Sequence, residues 1–199
     1  MRKVFLISLM VMSINSFSQR INVTQGSLAV LKDQPTINVE FTYNNMSVGR
    51  FSKEEDYIES RKKELNFKAP GTGDKWAIAW VDDRKSQFEP KFLELFNKES
   101  NCIGGSKPEA KYTMIIHTSF SEPGYNLGPF PGGRKNASIN ADVTIVETAD
   151  RSRSICTITI DGAPGRGGLG YDFDTGFRIQ ECYAVCGKRL STMINKIKK

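Results

Sequence analysis

The sequence predicts an α+β fold: a mainly antiparallel sheet with helices packed on one face, a two-layer sandwich. Three observations predict it. Stretches at 37–43, 112–120, 139–147 and 153–160 alternate apolar and polar residues with period two, as half-buried strands do. Between the first and second stretches the period turns helical. The chain then closes on Ile179, Tyr183, Cys186, Leu190, Ile194 and Ile197, spaced by threes and fours. That stripe needs an apolar partner, and the sheet face supplies one.

Taken in order, Ile37, Val39, Phe41 and Tyr43 alternate with Asn38, Glu40 and Thr42, which gives a strand. Ser52 and Glu55 have capping-box spacing and open a helix that runs to about Leu65. "KAPGTGDK" is a loop, and its Gly71–Lys75 portion lacks full phosphate-loop spacing. Trp76, Ile78 and Trp80 alternate as a strand would, while Trp76 and Trp80 also fit one helix face, and the helix is the reading taken. Ser86 and Glu89 repeat the capping-box spacing, with Pro90 tolerable in the first turn. Phe88, Phe92, Leu95 and Phe96 then share a face. In the second half, Tyr112, Met114, Ile116, Thr118 and Phe120 form one side of a strand. Ile139, Ala141, Val143 and Ile145 form one side of the next. Cys156, Ile158 and Ile160 complete a hairpin with it.

The N-terminus, MRKVFLISLMVMSINSFSQ, places Arg2 and Lys3 before an apolar run from Val4 to Ile14, then Ser16 and Ser18 at small-x-small spacing. That is the layout of a secretory signal peptide over residues 1–18, leaving 19–199 as a single α+β domain. The run is shorter than the roughly 20 residues that a membrane span needs. No later run reaches that length, and no cysteine precedes Cys102 to carry a lipid. The expected location is periplasmic or secreted. The leader holds two of the 28 basic residues and none of the 22 acidic ones, so the net charge falls from +6 to +4 on its removal. A mildly basic, exported domain fits an envelope protein or a polyanionic surface as its partner. Its cations are scattered up to Lys196, Lys198 and Lys199, which points away from nucleic acid.

Three segments taken together, "FEPKFLELFNK", "AKYTMIIHTSF" with "ADVTIVETADRSRSICTITI", and "DTGFRIQECYAVCGKRLSTMI", give a helix, a strand, a hairpin and a closing helix. In that order the chain resembles the small envelope α+β domains of the curli-export-factor and TolB N-terminal type, and uncharacterised exported bacterial proteins of the same architecture. The resemblance implies protein–protein contacts in the envelope and defines no catalytic residues.

Gly165, Gly167 and Gly170 spell Gly-x-Gly-x-x-Gly, but no helix opens at the last glycine and no acidic ribose contact follows. Dinucleotide binding needs both, so the motif is expected to be a glycine corner and no cofactor is expected. Asp161, Asp172 and Asp174 lack the glycine and distal glutamate of a calcium loop. Asp174 or Thr175 is expected to cap the last helix, and no metal is expected. Cys102, Cys156, Cys182 and Cys186 read first as buried thiols. Export also permits a bridge from Cys156 to Cys182 or Cys186, whereas Cys182 and Cys186 should not bridge each other. His117, the sole histidine, projects from the polar side of its strand. Gly-x-Ser-x-Gly and His-Glu-x-x-His are both absent.

The remaining candidate is the loop "SEPGYNLGPFPGGRKN", residues 121–136. Strand order predicts that it shares one end of the sheet with the glycine-rich exit at 162–173. Together they offer Tyr125, Phe130, Arg134, Lys135, Arg166, Tyr171 and Phe173 as a binding surface. The bland reading tucks these aromatics onto the sheet end. The resulting expectation is a binding or assembly module without catalytic residues. Its alternative is a carboxylate-dependent hydrolase of an envelope glycan, using Asp172 and Asp174.

Overall fold

The alternating stretches do form strands, and they meet in one mixed sheet. The computed structural model describes residues 20–126, 130–165 and 174–197; the expected leader at 1–18 lies outside them. Among the described residues the sheet takes β1 (Arg20–Gly26), β2 (Thr36–Thr42), β3 (Ser47–Val48), β4 (Ile103–Gly105), β5 (Tyr112–Glu122), β8 (Ala137–Glu147) and β9 (Ser154–Gly165). Its order is β1-β9-β8-β5-β2-β4, with β3 also on β5. β6 (Tyr125–Asn126) and β7 (Arg134–Lys135) make a separate two-stranded ribbon. The β5–β8–β9–β1 half is antiparallel, whereas β2 runs parallel to both β5 and β4. Parallel neighbours need a long crossover, and the helices between β2 and β4 supply it.

Met114 and Ile116 of β5, Val143 and Ile145 of β8, and Cys156, Ile158 and Ile160 of β9 share the buried face. On β8 and β9 lies α4 (Thr175–Ile197), and beside it α3 (Glu89–Glu99) meets β4 and Phe41 of β2, giving the two-layer arrangement. Every residue of the C-terminal stripe from Ile179 to Ile194 is buried. α3 and α4 pack closely because of Gly187: a Cβ there would lie 2.4 Å from the carbonyl oxygen of Phe92. Phe88 stacks on Tyr183 with ring centroids 5.2 Å apart, and Phe92 meets Phe41 edge-on at 5.3 Å. The Tyr183 hydroxyl, fully enclosed, is 2.7 Å from that of Thr118.

The opposite face carries polar side chains in register. Thr42, His117, Asp142, Thr159 and Asn22 form one row across five strands. His117 Nδ1 lies 3.1 Å from Thr42 Oγ1. Cys156 is on the other side of the sheet, so no Cys–His pair is built from it.

Two helix starts differ from expectation. α1 (Glu54–Lys68) begins one residue after Lys53, which makes no side-chain cap. Glu54 turns inward instead, at 9% exposure, and accepts from Trp80 Nε1 at 2.6 Å and from Arg84 Nη2. With Lys53 at the N-cap position, Ser52 lies one residue too early and the Ser52–Glu55 capping box does not form. The second expected start, at Ser86, is not a start. α2 (Thr72–Asp83) passes through a π-helical turn at Arg84–Phe88 directly into α3. The ring of Pro90 would strike the carbonyl of Ser86 in a regular α-helix, and the wider turn relieves that contact. Trp76 and Trp80 are helical, as expected. With Tyr57 of α1 they form a cluster with centroids 5.0–5.7 Å apart.

β1, β3, β4 and a 3-10 turn at Leu28–Leu31 were not foreseen. Leu28 and Leu31 are buried and reach the core beside α4. All four cysteines are buried, as expected, and Cys182 and Cys186 do not bridge each other. Burial raises the thiol pKa of Cys156, of Cys182 and of Cys186, the last to about 12. Among the described residues no helix is long and apolar enough to cross a membrane.

Candidate functional site

The end of β5 is shaped by one glycine. Gly124 has φ +66°, and a Cβ there would lie 2.4 Å from the Lys135 carbonyl oxygen. Only glycine lets the chain turn there against the returning strand. The next two residues pair with Arg134 and Lys135 as the β6–β7 ribbon. Tyr125 Oη donates to the Gly132 carbonyl at 3.3 Å, and Arg134 Nε donates to Asn126 Oδ1 at 3.2 Å. Lys135 Nζ pairs with Glu122 Oε2 at 2.5 Å. Residues 125–126 and 134–135 of the long loop are therefore tied to each other and to the end of β5. Glu122 pairs with Ser138 and Ala137 with Gly165, so the described start of the second glycine-rich segment, up to Gly165, lies at the same end of the sheet as the long loop.

Arg178 of α4 secures that end from below. It is 5% exposed, and it donates through Nε to the Pro123 carbonyl at 3.1 Å. Through Nη2 it donates to the Gly124 carbonyl at 3.3 Å and to Thr175 Oγ1 at 3.1 Å. A charged donor on two loop carbonyls fixes the loop to the helix more firmly than neutral bonds would.

Between this ribbon, the turn after β3 and one side of α1 lies a cleft of about 510 Å³, within the size range of ligand sites. The β3 turn contributes Arg50 and Phe51, and the Arg50 guanidinium lies over the Phe51 ring, 5.2 Å from its centroid. Phe51 meets Tyr57 edge-on at 5.8 Å. Burial raises the Tyr57 phenol to about 12, so it stays a neutral donor. Arg61 pairs with Glu64 at 2.6 Å. Hydrogen bonds from Lys68 and then Arg61 hold the Glu64 carboxyl below its usual range. Among the described lining residues, Arg50, Arg61, Lys135 and Arg178 face two carboxylates, Glu64 and Glu122. Arg50 has no carboxylate partner among the described residues and stands exposed at the rim.

Of the residues expected from the sequence, Tyr125 and Lys135 line this cleft. Arg134 is exposed on the ribbon. Phe130 is 56% and Tyr125 42% exposed, so neither tucks onto the sheet end as the bland reading held. Arg166, Tyr171, Phe173 and Asp172 lie outside the described residues, as do Gly167 and Gly170. Asp174 Oδ1 accepts from Gly176 N at 2.8 Å and so begins α4, its expected capping role. Arg50, Tyr57, Arg61, Glu122 and Arg178 were missed. Only the parallel pairing of Ser47 with Phe120 and Val48 with Ser121 brings residues 49–51 beside 122–126. No local motif announces that pairing. The nearest signal was Gly49-Arg-Phe51, a cation beside an aromatic after a turn glycine.

No family model matches the chain, and no curated protein does. Solved structures with a distantly similar course of the chain include a PelC dodecamer from Paraburkholderia phytofirmans. It shares 8% identity at a TM-score of 0.39, over 87% of this chain and 98% of that one. A point variant of that dodecamer gives 8% and 0.38, over 87% and 99%. A Xanthomonas campestris protein of the DUF330 family gives 9% and 0.39, over 81% and 84%.

Proposed function

We propose that this chain is a binding module of the bacterial envelope, and that the cleft at the end of β5 holds an anionic group of its partner. The observation that carries the proposal is Arg50, an exposed guanidinium at the rim of a cation-rich cleft with no carboxylate partner among the described residues. Gly124 and the Arg178 clamp support it, because a wall already ordered loses little entropy when a ligand arrives. The leader expected at residues 1–18 supplies the envelope location.

Retention on a carboxylate-bearing resin against rising salt tests the proposal. Arg50→Gln should elute at distinctly lower salt than the parent, with the same melting temperature. Co-elution of the two proteins would count against the cleft.

A second reading, hydrolysis of an envelope glycan, has one observation in its favour: Glu64 and Glu122 line the same cleft. Glycosidases work with two carboxyl groups. Here Glu64 is held ionised, which suits a base rather than an acid. Turnover of a glycan by the purified protein, abolished in Glu122→Gln, would establish this reading.

A further inference from the structure

We infer that the ligand of this cleft is a carboxylated glycan rather than a phosphate polymer; this rests on the anion-binding reading above. A phosphate polymer offers only acceptors and negative charge. It would gain from Arg50 and Lys135 and would meet Glu64 and Glu122 in the same 510 Å³ as like charges, as any polyanion does, but with no hydroxyl donors to offset them. Those carboxylates are used fully only by a ligand that also donates. Glu122 accepts from Lys135 Nζ and from the Gly124 amide, and Glu64 from Arg61 and Lys68. Each oxygen keeps a second lone pair for a hydroxyl. Ser60, exposed on the same wall, makes no hydrogen bond among the described residues.

The third component is aromatic. Phe51, Tyr57 and Tyr125 line the cleft, and the Tyr125 ring is held by its hydroxyl on the Gly132 carbonyl. A fixed aromatic surface suits the C–H face of a sugar ring, at low entropic cost to the protein. Hydroxyl donors, a carboxylate and apolar ring faces occur together in a uronic-acid chain. The cleft presents the complement of each: carboxylate acceptors, Arg50 and aromatic rings.

Calorimetric titration with three probes tests this: oligogalacturonate, its fully methyl-esterified form, and polyphosphate of matched charge. The proteins are the parent, Arg50→Gln and Glu64→Gln. Parent should bind oligogalacturonate most tightly, and Arg50→Gln should weaken it about tenfold. Glu64→Gln should strengthen polyphosphate more than oligogalacturonate, because both anions lose a like charge but only the glycan also loses a carboxylate acceptor for its hydroxyls. If polyphosphate binds parent at least as tightly, or Glu64→Gln strengthens oligogalacturonate as much as polyphosphate, the glycan assignment falls and anion binding stands. Should the esterified form bind equally well, should nothing bind, or should Arg50→Gln change nothing, both fall.

Discussion

Replacing Arg178 by alanine tests how the cleft is held. Among the described residues the side chain donates to the carbonyls of Pro123 and Gly124 and to Thr175 Oγ1. Bonds to a charged donor contribute about 1.5–3 kcal/mol each. The two carbonyls lie at the edge of an open cleft, where water replaces part of what is lost. A net cost of about 3 kcal/mol therefore follows, roughly one for each bond. For a domain of this size that corresponds to a fall in Tm of about 6–12 °C. The loss should be local as well as global. Hydrogen exchange should speed up in the β6–β7 ribbon more than in β8 or β9. Arg178→Lys keeps the charge but not the fork and should recover less than half of the loss. Arg178→Met keeps the stem without the cost of burying a charge and separates packing from hydrogen bonding. If Arg178→Ala melts within about 1 °C of the parent and the ribbon amides exchange no faster, the clamp has no role in ordering the loop.

Other changes have equally definite outcomes. Gly187→Ala gains about 1 kcal/mol of helix propensity but drives a methyl into the Phe92 carbonyl; overpacking should prevail, with a net loss of about 1–3 kcal/mol in urea unfolding. Tyr183→Phe strands the buried Thr118 hydroxyl and should cost about 1–3 kcal/mol, read the same way. The Cys186 thiol titrates near 12 in the fold against about 8.5 in an unfolded chain. The unfolded state thus releases its proton first, so this stabilisation is complete below about pH 8.5 and drains as pH rises toward 12. Urea midpoints at pH 8 and pH 10 should differ less in Cys186→Ala than in the parent. Cys186→Ser should be less stable than Cys186→Ala, because it buries a hydroxyl where the thiol sat as a small apolar group.

The strands of the second half were legible because one face is dry and the other wet, and alternation records that contrast residue by residue. The final stripe was legible for the same reason. β1 was not, since an edge strand buries little: Ile21 is half-buried and Val23 exposed. β3 and β4 are two and three residues long, below the length at which any period shows. The misplaced helix starts have a different cause. Ser52 and Ser86 carry capping spacing, but the first N-cap falls one residue later, on Lys53, and Pro90 is accommodated by a π turn rather than by a break. The site was half legible. Tyr125 and Lys135 stand in a conspicuous glycine-rich loop. Arg50 and Arg178 reach the same place from distant parts of the chain, through strand pairing and helix packing, which no local pattern encodes.

The π turn also sets the phase of a long rod. From Thr72 to Glu99 the backbone is continuous, yet its first half turns Trp76 and Trp80 toward α1 while its second turns Phe92 and Phe96 into the main core. Each residue advances a helix by about 100°, so the one extra residue at Arg84–Phe88 acts as an angular offset between two sets of contacts. A chain lacking that single residue would keep every aromatic side chain and nearly the same length. It would satisfy either the tryptophans or the phenylalanines, but not both at once.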